Sequence, residues 1–322
     1  MAATTSSDLS SQYQSHFSKK LLDHAQHELR LNEFAVTEDL PKNMASKKLT
    51  FFRPPEADAS KVQTLTEGTP TTERRNVVLT AIEATLVQYG EVAEITDIVS
   101  WTDLFKALTQ HISTMGEDCA LHADGLSRNA LVSGLTTTAN RRYSQGLANF
   151  AALEAAAAVD GAFVRTDGLA AATQLKVNRA PKFGGKYVCV IPPQVSHDFM
   201  QDEDWLSASK YGSVTQLFKG ELGELDGVRY VEATNPFIED DTLGTYDAAG
   251  GIFTSLFLSK GAFGTPKLSG TSPFKPQVII CDKADKSDPL NQKLMAGWKA
   301  FWTAKLLNAN WAIAMRSRST FA

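Results

Sequence analysis

The sequence predicts an α+β protein of elongated shape, and three features carry that expectation. From Ser100 an apolar period of three and four runs for about thirty residues, far longer than a compact domain needs. Before it, a strand-like LTFFR and a long β-branched run bracket a polar stretch, the pattern of a projecting hairpin. After it come short apolar runs bounded by Gly and Pro, such as Tyr187-Val-Cys-Val-Ile191, which read as buried strands of an α/β region.

In residues 1–48, Leu9, Tyr13, Phe17, Leu21, Ala25 and Leu29 recur every fourth residue among polar neighbours. That spacing puts a thin apolar stripe on a polar helix. It suits an arm lying across another surface, such as a neighbouring subunit, and equally an ordinary surface helix. Leu49 to Arg53 forms a strand stopped by Pro54 and Pro55. Glu56 to Arg75 is polar and carries no core pattern. Asn76 to Tyr89 is dense in Val, Ile and Thr; its Ala and Glu permit helix, but the β-branched content favours a strand of about 43 Å. Two strands joined by a polar tip form a hairpin, which is marginal alone and needs a partner surface.

Trp101, Leu104, Phe105, Leu108, Ile112, Met115, Cys119, His122, Leu126 and Ala130 trace the apolar face of the long helix. Ser100 with Asp103 resembles a capping pair, and Gly134 follows the end. At 1.5 Å per residue the helix reaches roughly 45 Å. Ala151 to Ala158 is helical by propensity, and Thr166-Asp167 caps a helix towards Val177. Strands are expected at Tyr187–Ile191, Gly227–Val231, Ile252–Leu258 and Gln277–Cys281. Leu290 to Leu307 reads as an amphipathic helix on Met295, Trp298, Phe301, Trp302 and Leu306. Trp311 to Met315 reads as a last strand returning to the long helix.

Composition narrows the function classes. A formal charge of −4, with 43% hydrophobic and 21% charged residues, describes a soluble chain not built to wrap nucleic acid. Cys119, Cys189 and Cys281 are too few and scattered for a disulfide framework or zinc cluster, and read as buried free thiols. MAATTSSDLSSQ lacks the basic and apolar parts of a signal peptide, and no run reaches the ~18 apolar residues of a membrane span.

No catalytic constellation emerges, so no catalytic, cofactor or metal residue is assigned and the chain is expected not to be an enzyme. Gly184-Gly185-Lys186 lacks the earlier glycine of a phosphate loop and precedes a strand, so it reads as a turn. His197-Asp198 with Asp202-Glu203-Asp204 has no metal-ligand spacing and reads as an acidic loop after a helix. Glu239-Asp240-Asp241 lacks calcium-loop spacing and reads as a solvated turn. His111 and His122 lie on the long helix, with His122 as a packing residue on its apolar face. Arg74-Arg75, Arg141-Arg142 and Arg316-x-Arg318 are basic pairs, solvated or ion-paired at the surface, or matched to a neighbour's acidic groups.

The order of arm, hairpin, long helix, α/β region and returning terminus resembles the Hong Kong 97-type coat protein of tailed bacteriophages. Leu65-Thr-Glu-Gly68, Val87-Gln-Tyr-Gly90, Glu94-Ile-Thr-Asp97, Arg128-Asn-Ala-Leu131, Leu217-Phe-Lys-Gly-Glu-Leu-Gly223, Gly227-Val-Arg-Tyr-Val-Glu232, Asp288-Pro-Leu290 and Gly297-Trp-Lys-Ala300 resemble the major coat protein family of N-four-type phages. These stretches span about residues 49–315.

The resemblance implies an N-terminal arm at 1–48, an extended loop at 49–90, a peripheral domain with a spine helix at 91–135, an axial domain at 136–302 and a C-terminal return at 303–322. It implies hexamers and pentamers closing into an icosahedral head around double-stranded DNA, made in the bacterial cytoplasm and found in the virion. Partners would be the chain itself, a separate scaffolding protein, a portal protein and a decoration protein, with no membrane and no cofactor. Lys61 lies in the loop where some relatives place a cross-linking lysine, but no motif here carries that reaction over. An encapsulin-like compartment shell is the alternative of the same fold, and an α/β enzyme the alternative of another class.

Overall fold

A computed structural model of the chain describes residues 30–38, 47–55, 78–96, 107–202, 221–240, 242–267, 277–281 and 292–321, with isolated positions 60, 62, 64, 65, 67, 68, 98 and 290. The stripe Leu9–Leu29, the Ser100–Asp103 cap and most of the polar loop lie outside the described residues. The strands are β1 Val36–Glu38, β2 Lys48–Arg53, β3 Thr80–Thr85, β4 Val87–Thr96, β5 Arg141–Tyr143, β6 Tyr187–Ile191, β7 Glu221–Leu225, β8 Val228–Glu232, β9 Phe237–Glu239, β10 Ile252–Leu258, β11 Phe263–Pro266, β12 Gln277–Cys281, β13 Lys293–Trp302, β14 Lys305–Leu306 and β15 Ala312–Ser317. The helices are α1 Ala107–Gly134, α2 Phe150–Ala155, α3 Arg165–Val177 and α4 Pro193–Gln201.

A central mixed sheet in the order β5-β15-β10-β6-β8-β7, with β9 on β10, forms the body. All five residues of β6 are buried because both faces of the sheet are covered. Tyr187, Cys189 and Ile191 point with Tyr230 and Phe257 towards α3 and α4, meeting Leu175, Val195 and Phe199. Val188 and Val190 point the other way, with Leu256 and Ala314, towards Leu131 and Leu135 at the end of α1 and towards Leu31 and Phe34. β15 therefore sits in the middle of the body, between β10 and β5, while Ala312 and Ala314 still touch the cluster of the long helix.

The 28 residues of α1 span about 42 Å. Its first half lies on a second sheet, β12-β13-β4, fully antiparallel. Here the sequence expectation fails. Leu290–Leu307 is no helix: β13 pairs along ten residues with β4 and five with β12. The deciding pattern is period two, with Ala296, Trp298, Ala300 and Trp302 buried in alternation. Trp298 and Ala300 pack on Met115 and Cys119, and Trp302 on Ala120 and Ala123. The spacing of Met295, Trp298 and Trp302 matched a helix only because aromatic residues fit both periods.

Smaller differences have local causes. α2 stops at Ala155, and Arg318 Nη1 donates to the carbonyls of Glu154 and Ala156, at 2.8 and 2.6 Å, where the helix ends. α3 starts one residue before Thr166, and Asp167 acts from the first turn: its Oδ2 accepts the Val164 amide at 3.1 Å. The β-branched run 76–89 is two strands, β3 and β4, parted at Leu86, whose amide donates to Lys47 O at 2.9 Å.

Candidate functional site

Among the described residues, no cluster of His, Cys, Asp or Glu can hold a metal ion, and no helix is long and apolar enough to cross a membrane. The groups singled out in the sequence have structural partners instead. Gly184 and Gly185 take φ of +53° and +90°, a left-handed pair that turns Phe183 back onto Lys186. Lys186 Nζ pairs with Glu224. His197 is half-exposed on α4, 3.3 Å from Asp198 Oδ1 and 5.2 Å from the Phe321 ring. Asp198 accepts the Thr320 amide at 2.8 Å, and Asp202 accepts the Arg165 amide at 3.1 Å. These carboxylates fasten the C-terminal tail and the start of α3.

Three expectations are corrected. Glu239 is not in a solvated turn: it is fully buried and takes Arg316 Nε at 2.6 Å and Nη2 at 3.0 Å. Arg316 is accordingly no surface cation. The end of β9 lies under the loop 240–251, whose Gly244 amide also donates to Glu239 Oε1 at 2.8 Å. His122 is exposed, because the buried face of α1 runs through Met115, Cys119, Ala120, Ala123 and Leu131; its ring meets Tyr89 edge-on at 4.7 Å. Cys119 and Cys189 are buried free thiols, and burial pushes Cys119 up to about 12. Arg74-Arg75, Asp241, Glu203-Asp204, Lys61 and the side chains of His111 and Cys281 lie outside the described residues.

What the geometry offers is a rigid frame with apolar surfaces turned outward. Arg128, on the buried side of α1, is its joint. Nη1 donates to Asn235 Oδ1 at 2.6 Å, Pro236 O at 2.6 Å and Asn235 O at 3.2 Å, and the guanidinium lies 4.7 Å from the Tyr246 ring. Burial lowers its pKa, with Tyr246 and Asp124 opposing. Asn235 Nδ2 donates in turn to Leu121 O at 2.9 Å. Sequence reasoning missed this joint; the available signal was a cation between the apolar Leu131 and Ala123 on one helix face.

The base of the hairpin, β2 with β3, is docked on the body. Leu49 and Phe51 pack on Leu307 with Ala84, and Arg53 Nη1 donates to Leu307 O at 3.2 Å. Its other face leaves Phe52 at 66% exposure, with Val78 and Leu79 also exposed. On the outer side of the second sheet, Val92 and Ile279 flank Gly297 in one row across three strands, Val92 at 70% exposure. Apolar groups presented this way mark contact surfaces more often than free ones.

No family model matches the chain, and no curated protein matches it in sequence. Solved structures do. The capsid of cyanophage P-SCSP1u aligns with TM-score 0.63 and 16% identity over 89% of this chain and 87% of that one. The capsid of cyanophage Pam1 aligns with TM-score 0.61 and 14% identity over 93% of both. The SrpI encapsulin of Synechococcus elongatus aligns with TM-score 0.56 and 10% identity over 90% and 87%. The structural neighbours are predominantly capsid proteins of tailed phages, and the chain has their Hong Kong 97-type fold.

Proposed function

We propose that this chain is the major capsid protein of a tailed bacteriophage. The observation that carries the reading is the match of about nine-tenths of the chain to phage capsid subunits, spine helix, second sheet and central sheet included. Hexamers and pentamers of the chain would close an icosahedral head around double-stranded DNA. Residues 1–48 would serve as the arm, 49–90 as the extended loop, 91–135 as the peripheral domain, 136–302 as the axial domain and 303–322 as the return. A separate scaffolding protein would guide assembly in the host cytoplasm, with portal and decoration proteins completing the virion.

The exposed apolar residues of the hairpin and second sheet support a role in subunit contacts, since many symmetric copies of a modest contact stabilise a closed shell. The near-neutral charge suits a container that holds DNA without gripping each phosphate. The likeness to an encapsulin supports a second reading, a cellular compartment shell.

Expression with a candidate scaffolding protein, followed by sedimentation and negative-stain imaging, tests the assembly. Closed shells or capsomers are expected. A chain that stays monomeric under every condition overturns it. Shells that fill with a co-expressed enzyme and never with DNA favour the compartment reading.

A further inference from the structure

A pair of unpartnered polar atoms lies inside the body, where α1 meets the central sheet. Thr254 is 3% exposed and its Oγ1 has no hydrogen-bond partner. Arg316 stands directly opposite Thr254 in the β10–β15 ladder. Glu239 takes Nε and Nη2 of Arg316, which leaves the buried Nη1 without a partner. Ser255, Ser259 and Ser317 also bury unpartnered hydroxyls, but of these four only Thr254 lines the cavity at this junction. That cavity is closed by Leu31, Asp124, Arg128, Asn235 and Leu256. Its free space of about 10 Å³ has room for a single water.

Charge favours a neutral occupant. Asp124 offsets Arg128 on the helix side, and Glu239 offsets Arg316 on the sheet side. An anion would meet Asp124 and Glu239, and a cation would meet the two guanidinium groups. A buried polar atom left dry costs about 1–3 kcal/mol, whereas a water with about three partners removes that cost.

We propose that one structural water occupies this cavity, accepting a hydrogen from Arg316 Nη1 and donating one to Thr254 Oγ1. Asp124 and Asn235 supply its remaining contact. The water links β10 and β15 to the face of the spine helix through hydrogen bonds that none of the three elements makes directly.

Two measurements test it on the full chain. A map clear enough for ordered solvent is expected to carry a peak about 2.8 Å from Thr254 Oγ1. Thr254→Val keeps the shape and removes the hydroxyl; it is expected to lower Tm by about 2 °C or more, because the water loses a partner. Without a water the same change removes a dry hydroxyl, and Tm stays level or rises. Absence of the peak, or a level or raised Tm, overturns the proposal. If T254V does not fold, the map alone decides.

Discussion

Arg316 and Glu239, 77 residues apart, form a two-point ion pair with both side chains fully buried. It clips β15 to β9 across β10 and closes the loop 240–251 over the body. Pairs of this kind contribute little net stability against apolar replacements, yet breaking one strands a charge. Arg316→Met is therefore expected to cost about 3–5 kcal/mol in denaturant unfolding of the subunit. The double change R316M with E239L is expected to recover most of that; equal losses for single and double variants would show that packing, not charge, dominates.

Arg128→Lys removes the planar fork that reaches Asn235 and Pro236 together. A loss of about 1.5–3 kcal/mol is expected, nearly unchanged between low and high salt because the site is shielded from solvent. A strongly salt-dependent loss would contradict the joint described above.

Asp167 sets a pH dependence. Burial pushes its carboxyl up to about 6 from 3.8, with the amides of Val164 and Gln145 pulling it back only in part. Between these values the unfolded chain is ionised while the folded one holds the proton, so unfolding releases it. Stability from this group is complete below about pH 4 and falls as pH rises to about 6, by roughly 2–3 kcal/mol. Asp167→Asn is expected to flatten that part of the curve relative to the unmodified chain, read by thermal melts across pH 4–7.

Gly264 makes room for the hairpin: a Cβ there would lie 2.5 Å from the Phe51 ring. Gly264→Ala is expected to cost about 1–3 kcal/mol by overpacking, and adding Phe51→Leu to return part of it. Additive losses would mean that the ring is not what the methyl strikes.

Under the capsid reading, deleting residues 54–75 is expected to leave the subunit folded and its thermal melt nearly unchanged, because β2 and β3 keep their own docking on Leu307. Particle yield by sedimentation is expected to collapse. Undiminished shells would remove the loop from the subunit contacts.

The long helix, the buried strand Tyr187–Ile191 and the Gly184-Gly185 turn were all legible in the sequence. Each is written in residues close along the chain: a steady helical period, an apolar run bounded by prolines, and two glycines free to take positive φ. The absence of a recognised active-site motif was legible too, since such motifs are local.

The chain by itself thus determined its helices, most of its strands and its elongated plan. Tertiary structure alone decided the state of Lys293–Trp302, where Trp298 and Trp302 satisfy both periods and only β4 and β12 as neighbours select the strand. It alone decided that Glu239 and Arg316 lie inside and that Arg128 joins helix to body, because these partners stand 77 and 107 residues apart. Local patterns report which face of an element is apolar; they carry no information about which distant group will meet it.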